Sequence, residues 1–183
     1  MKKITFILFL LILISCKSET KPAAPVAENT ATAENVNATS TEETTVQTDI
    51  PVVNFEQFEK YLNIEDDNIH VVNFWATWCA PCVKELPYFE AVNQEYKDKN
   101  VKVLLVSLDF NLKKLNSFLA KNDLKSEQVL LDDPDQNAWI PKVSSTWSGA
   151  IPATVIYTKE KRAFYEQSFT KGELQNAIQQ FLN

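Results

Sequence analysis

The stretch Trp78-Cys79-Ala80-Pro81-Cys82 decides the fold, because it places two thiols at a predicted junction between a strand and a helix. Upstream, residues 70–75 are mainly apolar, β-branched and aromatic, which is typical of a buried strand. Downstream, apolar side chains recur at the spacing of an amphipathic helix; they are Val83, Leu86, Phe89, Val92 and Tyr96. Two cysteines so placed can interconvert between dithiol and disulfide with little backbone movement. The stretch therefore predicts a redox centre at the N-terminus of a helix.

Cys79 falls where a helix N-terminus stabilises a negative charge. Unpaired backbone N–H groups and the positive end of the helix dipole lower the pKa of a thiol there below its free value of about 8.5. We therefore expect Cys79 to be the attacking nucleophile and Cys82 to resolve the mixed disulfide that forms. Pro81 falls in the first turn of the helix, where a missing N–H has no energetic cost.

Two other roles for the cysteine pair are possible in principle. A structural disulfide that closes a loop of about four residues stabilises a protein by only about 2 kcal/mol, less than a longer bridge does. Half of a zinc site needs two more ligands, and the chain offers only one further cysteine, Cys16, and one histidine, His70. We favour redox chemistry over both alternatives, and we predict no metal site and no cofactor.

Residues 1–15 have the pattern of a lipoprotein signal peptide. Two lysines follow Met1, and the apolar run of residues 4–14 is too short to span a bilayer, which needs about 20 residues. Leu13-Ile14-Ser15-Cys16 resembles the lipobox of bacterial lipoproteins, in which cleavage precedes the cysteine and the thiol receives a diacylglyceryl group. We expect export of the chain and a lipid anchor on Cys16. An ordinary signal peptide with a cysteine near its cleavage site, or an uncleaved anchor, is the alternative.

Residues 16–49 are predicted to form a disordered tether. Between residues 17 and 49 there is no Leu, Ile, Phe, Tyr or Trp, so the segment cannot build a core. As a random coil it has a root-mean-square span of about 30 Å, enough to hold a domain clear of a membrane. Disorder without any selected purpose explains the composition equally well.

The charge of the chain argues against nucleic-acid binding. The formal net charge is −6 at pH 7, and no basic stripe is visible. Proteins that bind nucleic acid instead concentrate lysine and arginine on one face. We therefore expect no nucleic-acid partner.

Residues 50–183 alternate predicted helices and strands, as an α/β domain does. Asn54 is placed to cap a first helix, and further helices are predicted from residue 83, over residues 112–121 and from Thr170, which opens a capping box. Strands are predicted at residues 71–75, 101–108, 129–131, 153–157 and 163–166, the last two as an antiparallel hairpin. Residues 132–135 have turn chemistry, and residues 139–147 have no clear pattern. The elements predict a sandwich with a central mixed sheet flanked by helices.

The chain resembles the thioredoxin superfamily, and within it the TlpA/ResA-like branch of membrane-tethered oxidoreductases. Residues 72–87, VNFWATWCAPCVKELP, match the active-site signature of that branch. Ile151-Pro152-Ala153-Thr154 matches the loop that holds a cis-proline facing the disulfide. The resemblance spans roughly residues 51–183 and implies a thioredoxin-like sandwich with an inserted helix and strand, for which the elements predicted in residues 112–131 are candidates.

The resemblance also implies a peptide-binding groove beside the cysteines. A cis bond before Pro152 exposes the preceding backbone for pairing with an extended peptide. Ile151 would then bind the substrate, and Trp78 and Ala150 would line the same groove. A trans proline that merely begins a strand is the alternative.

Asn73 marks a departure from thioredoxins, which place a buried aspartate on the strand before the motif. The resemblance implies that Glu85, three residues after the second cysteine, accepts the proton of Cys82 instead. The spacing agrees, because Cys82, Glu85 and Phe89 lie on one helical stripe that faces apolar residues. Burial raises the pKa of a carboxyl group, which suits it to proton transfer. The alternative is that Glu85 is an ordinary solvated glutamate of the helix, like Glu90.

These inferences predict a thiol:disulfide oxidoreductase of the bacterial cell envelope that reduces protein disulfides. We expect a monomer, held on a membrane through Cys16, with its domain in the periplasm or another extracytoplasmic space. Its expected partners are cysteine-containing envelope proteins, such as apocytochrome c during cytochrome c maturation, and a transmembrane thiol reductase as electron donor.

Two other functions fit the same fold. A copper-binding or redox-sensing lipoprotein would hold a metal through Cys79 and Cys82, although copper chaperones of this fold add a distant histidine, and no histidine follows His70. A peroxiredoxin-like peroxidase is the other candidate, but the Pro-x-x-x-Thr-x-x-Cys signature of peroxiredoxins is absent.

Overall fold

The computed structural model describes residues 50–182, so the predicted signal peptide (residues 1–15) and tether (residues 16–49) lie outside the described residues. The strands within residues 50–182 are β1 (Val52–Val53), β2 (Ile69–Trp75), β3 (Val101–Ser107), β4 (Glu127–Leu131), β5 (Ala153–Tyr157) and β6 (Arg162–Tyr165). The α-helices of the same residues are α1 (Phe55–Phe58), α2 (Ala80–Glu95), α3 (Leu112–Leu119), α4 (Gln136–Val143) and α5 (Lys171–Gln179). Short 3-10 helices follow α1 at Glu59–Leu62 and α2 at Lys97–Lys99.

The described strands form one mixed sheet in the order β1-β4-β3-β2-β5-β6. β1, β4, β3 and β2 are parallel to one another, whereas β5 is antiparallel to β2, and β6 is antiparallel to β5. The carboxyl ends of the parallel strands therefore meet at one edge, and the chain leaves β2 at that edge to enter α2. The predicted mixed sheet and C-terminal hairpin are confirmed.

β2 is buried along its whole length because helices cover both faces of the sheet. Successive side chains of a strand point to opposite faces. Val71 and Trp75 therefore belong to one core layer, which contains the buried residues of α2, α3 and α5. Val72 and Phe74 belong to the other, which contains those of α1 and α4.

The predicted stripe on α2 is confirmed. Its buried residues are Cys82, Glu85, Leu86, Phe89 and Val92. Glu85 is therefore part of the buried face of the helix, unlike the partly exposed Glu90.

The largest addition to the predicted elements is α4, which occupies part of the segment that had no clear pattern. Asp135 caps this helix by accepting a hydrogen bond from the backbone N–H of Ala138 at 3.3 Å. Pro141 lies inside the helix. An internal proline removes a backbone hydrogen bond and usually breaks a helix, so the sequence alone argues against a helix here. Tertiary packing offsets the loss of this hydrogen bond, since Trp139 is buried and stacks on Phe55 with ring centroids 5.7 Å apart.

The remaining elements differ from prediction mainly at their ends. The first predicted helix is divided, since α1 ends at Phe58 and a 3-10 turn carries Leu62 into the core. The tighter 3-10 geometry is common at helix ends. α3 and β4 are the inserted helix and strand, and β4 lies between β1 and β3. Among residues 50–182, no helix combines the length and the apolar composition that crossing a bilayer requires.

Candidate active site

The two cysteines lie where β2 leads into α2, as predicted. Cys79 is the N-cap of α2, and it forms a disulfide with Cys82 across a Cα–Cα distance of 5.3 Å. The backbone N–H of Cys82 donates to Sγ of Cys79 at 3.3 Å. Such a contact is how a helix N-terminus stabilises a thiolate. Cys79 is 6% exposed and Cys82 is fully buried, so an incoming sulfur atom reaches Cys79 first.

Ile151, which directly precedes Pro152, lies against the disulfide. The Ile151–Pro152 peptide bond is cis, as predicted. Sγ of Cys79 lies 3.7 Å from the carbonyl oxygen of Ile151. Pro152 is followed directly by β5, which pairs with β2. The sheet thus brings together two motifs that are far apart along the chain.

The loop before Pro152 is held by a carboxylate from the end of the β5–β6 hairpin. Glu166 accepts hydrogen bonds from the backbone N–H groups of Ser148 and Ala150, both at 3.1 Å, and from the Ser148 hydroxyl. These bonds, the Ser148 hydroxyl foremost, lower the pKa of Glu166 below its usual value. The indole N–H of Trp147 donates to the carbonyl oxygen of Ala150 at 2.8 Å. Ala150 itself is exposed beside Ile151, on the surface where a groove is predicted.

Glu85 is 1% exposed and accepts three hydrogen bonds. Its Oε1 accepts from Nδ2 of Asn73 at 3.1 Å. Its Oε2 accepts from the Ser168 hydroxyl at 3.0 Å and from the backbone N–H of Phe169 at 2.7 Å. Burial raises the pKa of the Glu85 carboxyl above its usual value, and the hydrogen bonds offset part of that effect. The group is therefore both easier to protonate than a solvated glutamate and fully paired when it is ionised.

Asp109 anchors the loop that leads into the cysteines. It lies just past the carboxyl end of β3 and is 5% exposed. Its carboxylate accepts from the backbone N–H of Thr77 at 3.0 Å, from the Thr77 hydroxyl at 2.6 Å and from the Ser107 hydroxyl at 2.8 Å. Since Thr77 is two residues from Cys79, Asp109 fixes the backbone that leads into the disulfide.

Trp78, which is predicted to line a groove, is exposed next to Cys79 in the chain. It is 60% exposed, and its ring stacks on that of Phe110, which is 81% exposed. Neither ring belongs to the core, so packing of the core does not explain this pair.

Comparison with known proteins identifies the family. The family model described as "AhpC/TSA family" matches residues 32–162, well over half of the chain. The chain belongs to the AhpC/TSA family.

Several curated relatives of this AhpC/TSA chain are thiol-disulfide oxidoreductases by name. ResA of a Bacillus cereus strain is 30% identical over 113 residues, which are 59% of this chain and 60% of that protein. ResA of Oceanobacillus iheyensis is 44% identical over 54 residues, 30% of this chain and 28% of that protein. The thioredoxin-like protein YneN of Bacillus subtilis is 39% identical over 70 residues, 37% of this chain and 41% of that protein. The chain thus spans less than two thirds of these relatives.

Solved structures confirm the thioredoxin-like fold of the AhpC/TSA chain. A secreted thiol-disulfide isomerase from Corynebacterium glutamicum superposes with a TM-score of 0.55 at 20% identity, covering 64% of this chain and 72% of that one. A protein described as a putative thiol:disulfide interchange protein DsbE, from Chlorobium tepidum, gives a TM-score of 0.54 at 21% identity, covering 69% and 85%. At these identities the likeness concerns the fold alone.

Some of the remaining site residues of this AhpC/TSA chain have a signal in the sequence, and others have none. Asp109 follows a predicted central strand, and polar residues at the carboxyl ends of neighbouring parallel strands meet at one edge, so it could have been found. Ser168 and Glu166 had no such signal, because their partners are 83 and 18 residues away along the chain.

Among residues 50–182, no group of three or more His, Cys, Asp or Glu side chains is placed to hold a metal ion. His70 instead pairs with Asp66 at 2.8 Å.

Proposed function

We propose that this protein is a thiol:disulfide oxidoreductase of the bacterial cell envelope that reduces protein disulfides through Cys79 and Cys82. The observation that carries the proposal is the position of Cys79 at the N-cap of α2, with its sulfur 3.7 Å from the Ile151 carbonyl oxygen. This sulfur atom accepts a hydrogen bond from the backbone N–H of Cys82, belongs to the more exposed of the two cysteines and lies beside a backbone segment that an extended peptide can pair with.

The reaction is two successive thiol–disulfide exchanges. The Cys79 thiolate attacks one sulfur of the substrate disulfide, which forms a mixed disulfide and releases one substrate thiolate. The Cys82 thiolate then attacks Sγ of Cys79, which restores the Cys79–Cys82 disulfide and releases the second substrate thiolate. Two electrons pass to the substrate, its two sulfurs leave as thiols once protonated, and the protein disulfide needs a dithiol donor to be reduced again.

We assign Glu85 as the group that accepts the proton of the Cys82 thiol. Cys82 is fully buried, so its thiol cannot pass a proton directly to bulk water. Glu85 lies three residues further along the same buried stripe of α2, and because burial raises its pKa, it holds a proton more readily than an exposed glutamate does. We assign binding of the substrate backbone to Ile151 and Pro152, with Trp78 and Ala150 along the same groove.

The cellular setting is proposed from the N-terminal sequence. Residues 1–15 are assigned as a lipoprotein signal peptide, Cys16 as the lipidated residue, residues 16–49 as the tether and residues 50–183 as the domain. The expected substrates are envelope proteins with cysteine pairs, including apocytochrome c, and the expected electron donor is a transmembrane thiol reductase. The Ala-Pro dipeptide between the cysteines supports reduction over oxidation, since it resembles reducing members of the superfamily.

Trapping and potentiometry test the proposal. Cys82→Ser should accumulate mixed disulfides with envelope proteins, whereas the matched Cys79→Ser variant should trap none and should lose reduction of insulin disulfides. The reduction potential of the wild-type pair should be far more negative than that of DsbA, about −120 mV. A value near −120 mV, or turnover of hydrogen peroxide faster than that of disulfides, would contradict the assignment. Stoichiometric copper binding by the reduced protein would favour metal delivery instead.

A further inference from the structure

An apolar surface lies directly beside the redox centre. The rings of Trp78 and Phe110 are nearly parallel, with centroids 6.4 Å apart and an interplanar angle of 4°. Both are among the few large apolar side chains that are exposed in the described residues. Exposed apolar groups that lie together mark interaction surfaces more often than single ones do.

A groove continues from this aromatic pair along α3. Its volume is about 510 Å³, and Thr77, Asn111, Lys113, Lys114, Phe118 and Lys121 line it. Thr77 directly precedes Trp78 and Asn111 directly follows Phe110 in the chain. The groove and the aromatic pair are therefore neighbours, and Trp78 directly precedes Cys79 in the chain.

The groove is positively charged, although the chain as a whole carries a net charge of −6. Lys113, Lys114 and Lys121, here called the lysine cluster, are all exposed. Within the part of the chain that the structure describes, no ion pair includes any of the three.

Acidic side chains close by in sequence do not neutralise the lysine cluster. α3 itself contains no Asp or Glu. Asp109 is buried and engaged by Thr77 and Ser107. Asp123 forms its own ion pair with Lys125. The positive charge of the groove is therefore open to an acidic ligand from outside.

We propose that this surface selects polypeptide partners that carry acidic residues close to their reacting cysteine. The proposal rests on the function proposed above. The partner's cysteine reaches Cys79, an apolar side chain next to that cysteine covers Trp78 and Phe110, and its carboxylates lie against the lysine cluster. We choose an acidic polypeptide over a neutral or basic one because its negative charge complements the positive charge of the lysine cluster.

The helix sets the spacing of the acidic residues. Lys114 lies in α3, and Lys121 follows the C-cap Ala120, which keeps right-handed helical backbone angles. At about 1.5 Å per residue, the seven positions between the two lysines therefore span roughly 10 Å. An extended peptide covers that distance in about three residues at 3.3 Å per residue. The partner therefore needs its carboxylates within a window of about four residues on one side of the cysteine. Such a partner is also steered toward the site, so the rate of encounter should fall as salt is added.

Peptide substrates of matched reactivity test this inference. Ten-residue peptides each carry Leu beside one cysteine, held as a mixed disulfide with 2-mercaptoethanol, and a run of three Glu, three Gln or three Lys beyond it. Each rate with the reduced full-length chain in neutral detergent is divided by the rate of the same peptide with dithiothreitol. This division removes the effect of peptide charge on the disulfide itself. We expect the Glu peptide to react about tenfold faster than the Lys peptide at 20 mM salt, and this ratio to shrink strongly at 300 mM.

Two triple variants separate the groove from the overall charge. The variant K113Q/K114Q/K121Q should bring the Glu-to-Lys ratio close to one. The matched control K97Q/K99Q/K102Q removes the same charge at the opposite, amino-terminal end of β3, and it should keep the wild-type ratio. In addition, Phe110→Ser should slow the Leu-containing peptides but not versions with Ser in place of Leu.

The outcomes distinguish this inference from the proposed function. Equal normalised rates for the three wild-type reactions, or the same loss in both triple variants, would overturn the acidic-partner inference and leave the oxidoreductase intact. Failure to reduce any of the peptides, or the neutral hydroxyethyl disulfide, would overturn the proposed function itself.

Discussion

Asn73 on β2 donates a hydrogen bond from Nδ2 to Oε1 of Glu85 on α2, over 3.1 Å, where both side chains are buried. The same Nδ2 donates to Oγ1 of Thr154 at 3.1 Å, while Oδ1 of Asn73 has no hydrogen-bond partner among the described residues. Rotation of the carboxamide by 180° would turn Oδ1 toward Glu85. Asn73 can thus pair with Glu85 as an ion and, after rotation, with its protonated form.

Glu85→Gln should slow the reduction of insulin disulfides without unfolding the protein. The amide cannot accept the proton of Cys82, which is the function lost. The fold should survive, because the Gln carbonyl can accept from Phe169 and the Gln amide can donate to the unpartnered Oδ1 of Asn73. Turnover equal to that of the wild type across the pH range would contradict the proton-transfer role.

The same variant should change the pH dependence of stability. Burial raises the folded-state pKa of Glu85 above its usual value near 4.5. Stability from this group is therefore fully present below pH 4.5 and is lost as the pH rises through the folded pKa. Glu85→Gln lacks this loss, so the Tm of the variant minus that of the wild type should increase as the pH rises from 4 to 8. Glu65→Gln, which removes an exposed carboxyl, is the control and should show a flat difference.

Asn73→Leu should shift the pH profile of turnover upward. The Nδ2 hydrogen bond is one of three contacts that lower the pKa of Glu85, so its loss raises that pKa further. Leaving buried acceptors on Glu85 and Thr154 without their donor should also cost about 1–3 kcal/mol of unfolding free energy. Thr154→Val is the matched control, because it removes the other partner of Asn73 but keeps the bond to Glu85. If Thr154→Val moved the profile as far as Asn73→Leu, the shift would not arise from the Asn73–Glu85 bond.

Asp109→Ala should destabilise the protein and weaken catalysis together. It leaves the Thr77 N–H and the Thr77 and Ser107 hydroxyls without their common acceptor, which should cost roughly 3 kcal/mol. The loop before Cys79 then loses its anchor, so kcat/KM for insulin should fall as well. Urea denaturation and steady-state kinetics measure the two effects. Asp123→Ala removes only an exposed ion-pairing carboxyl and should change neither by much.

The two glycines of the chain should respond to alanine in opposite directions. Gly149 has φ of 93°, and a Cβ there would lie 3.2 Å from Cδ1 of Ile140, so Gly149→Ala should cost about 1–2 kcal/mol. Gly172 lies in the first turn of α5 with open space around it, so Gly172→Ala should stabilise the protein by about 0.5 kcal/mol. Thermal unfolding of the two variants beside the wild type checks both signs. Stabilisation by Gly149→Ala would show that the loop before Pro152 adopts another conformation.

Local patterns were enough to predict most elements of the fold. The capping box at Thr170 and the apolar stripe of α2 are encoded within a few residues of one another, so their spacing can be recognised directly. α4 could not be predicted in this way. Its helical pattern is interrupted by Pro141, and its stability depends on the packing of Trp139 against Phe55, which is far away in sequence.

The sequence by itself determined the chemistry of the centre: two thiols at a strand-to-helix junction, with a glutamate one turn further on the buried stripe. These features depend on helical and strand periods, which are local. Only the tertiary structure decided what surrounds Cys79. Asp109 meets Thr77 across 32 residues, and Glu85 meets Ser168 across 83, because β3 and the segment before α5 are brought to the same edge of the sheet. Contacts of that kind depend on strand order, which no local pattern encodes.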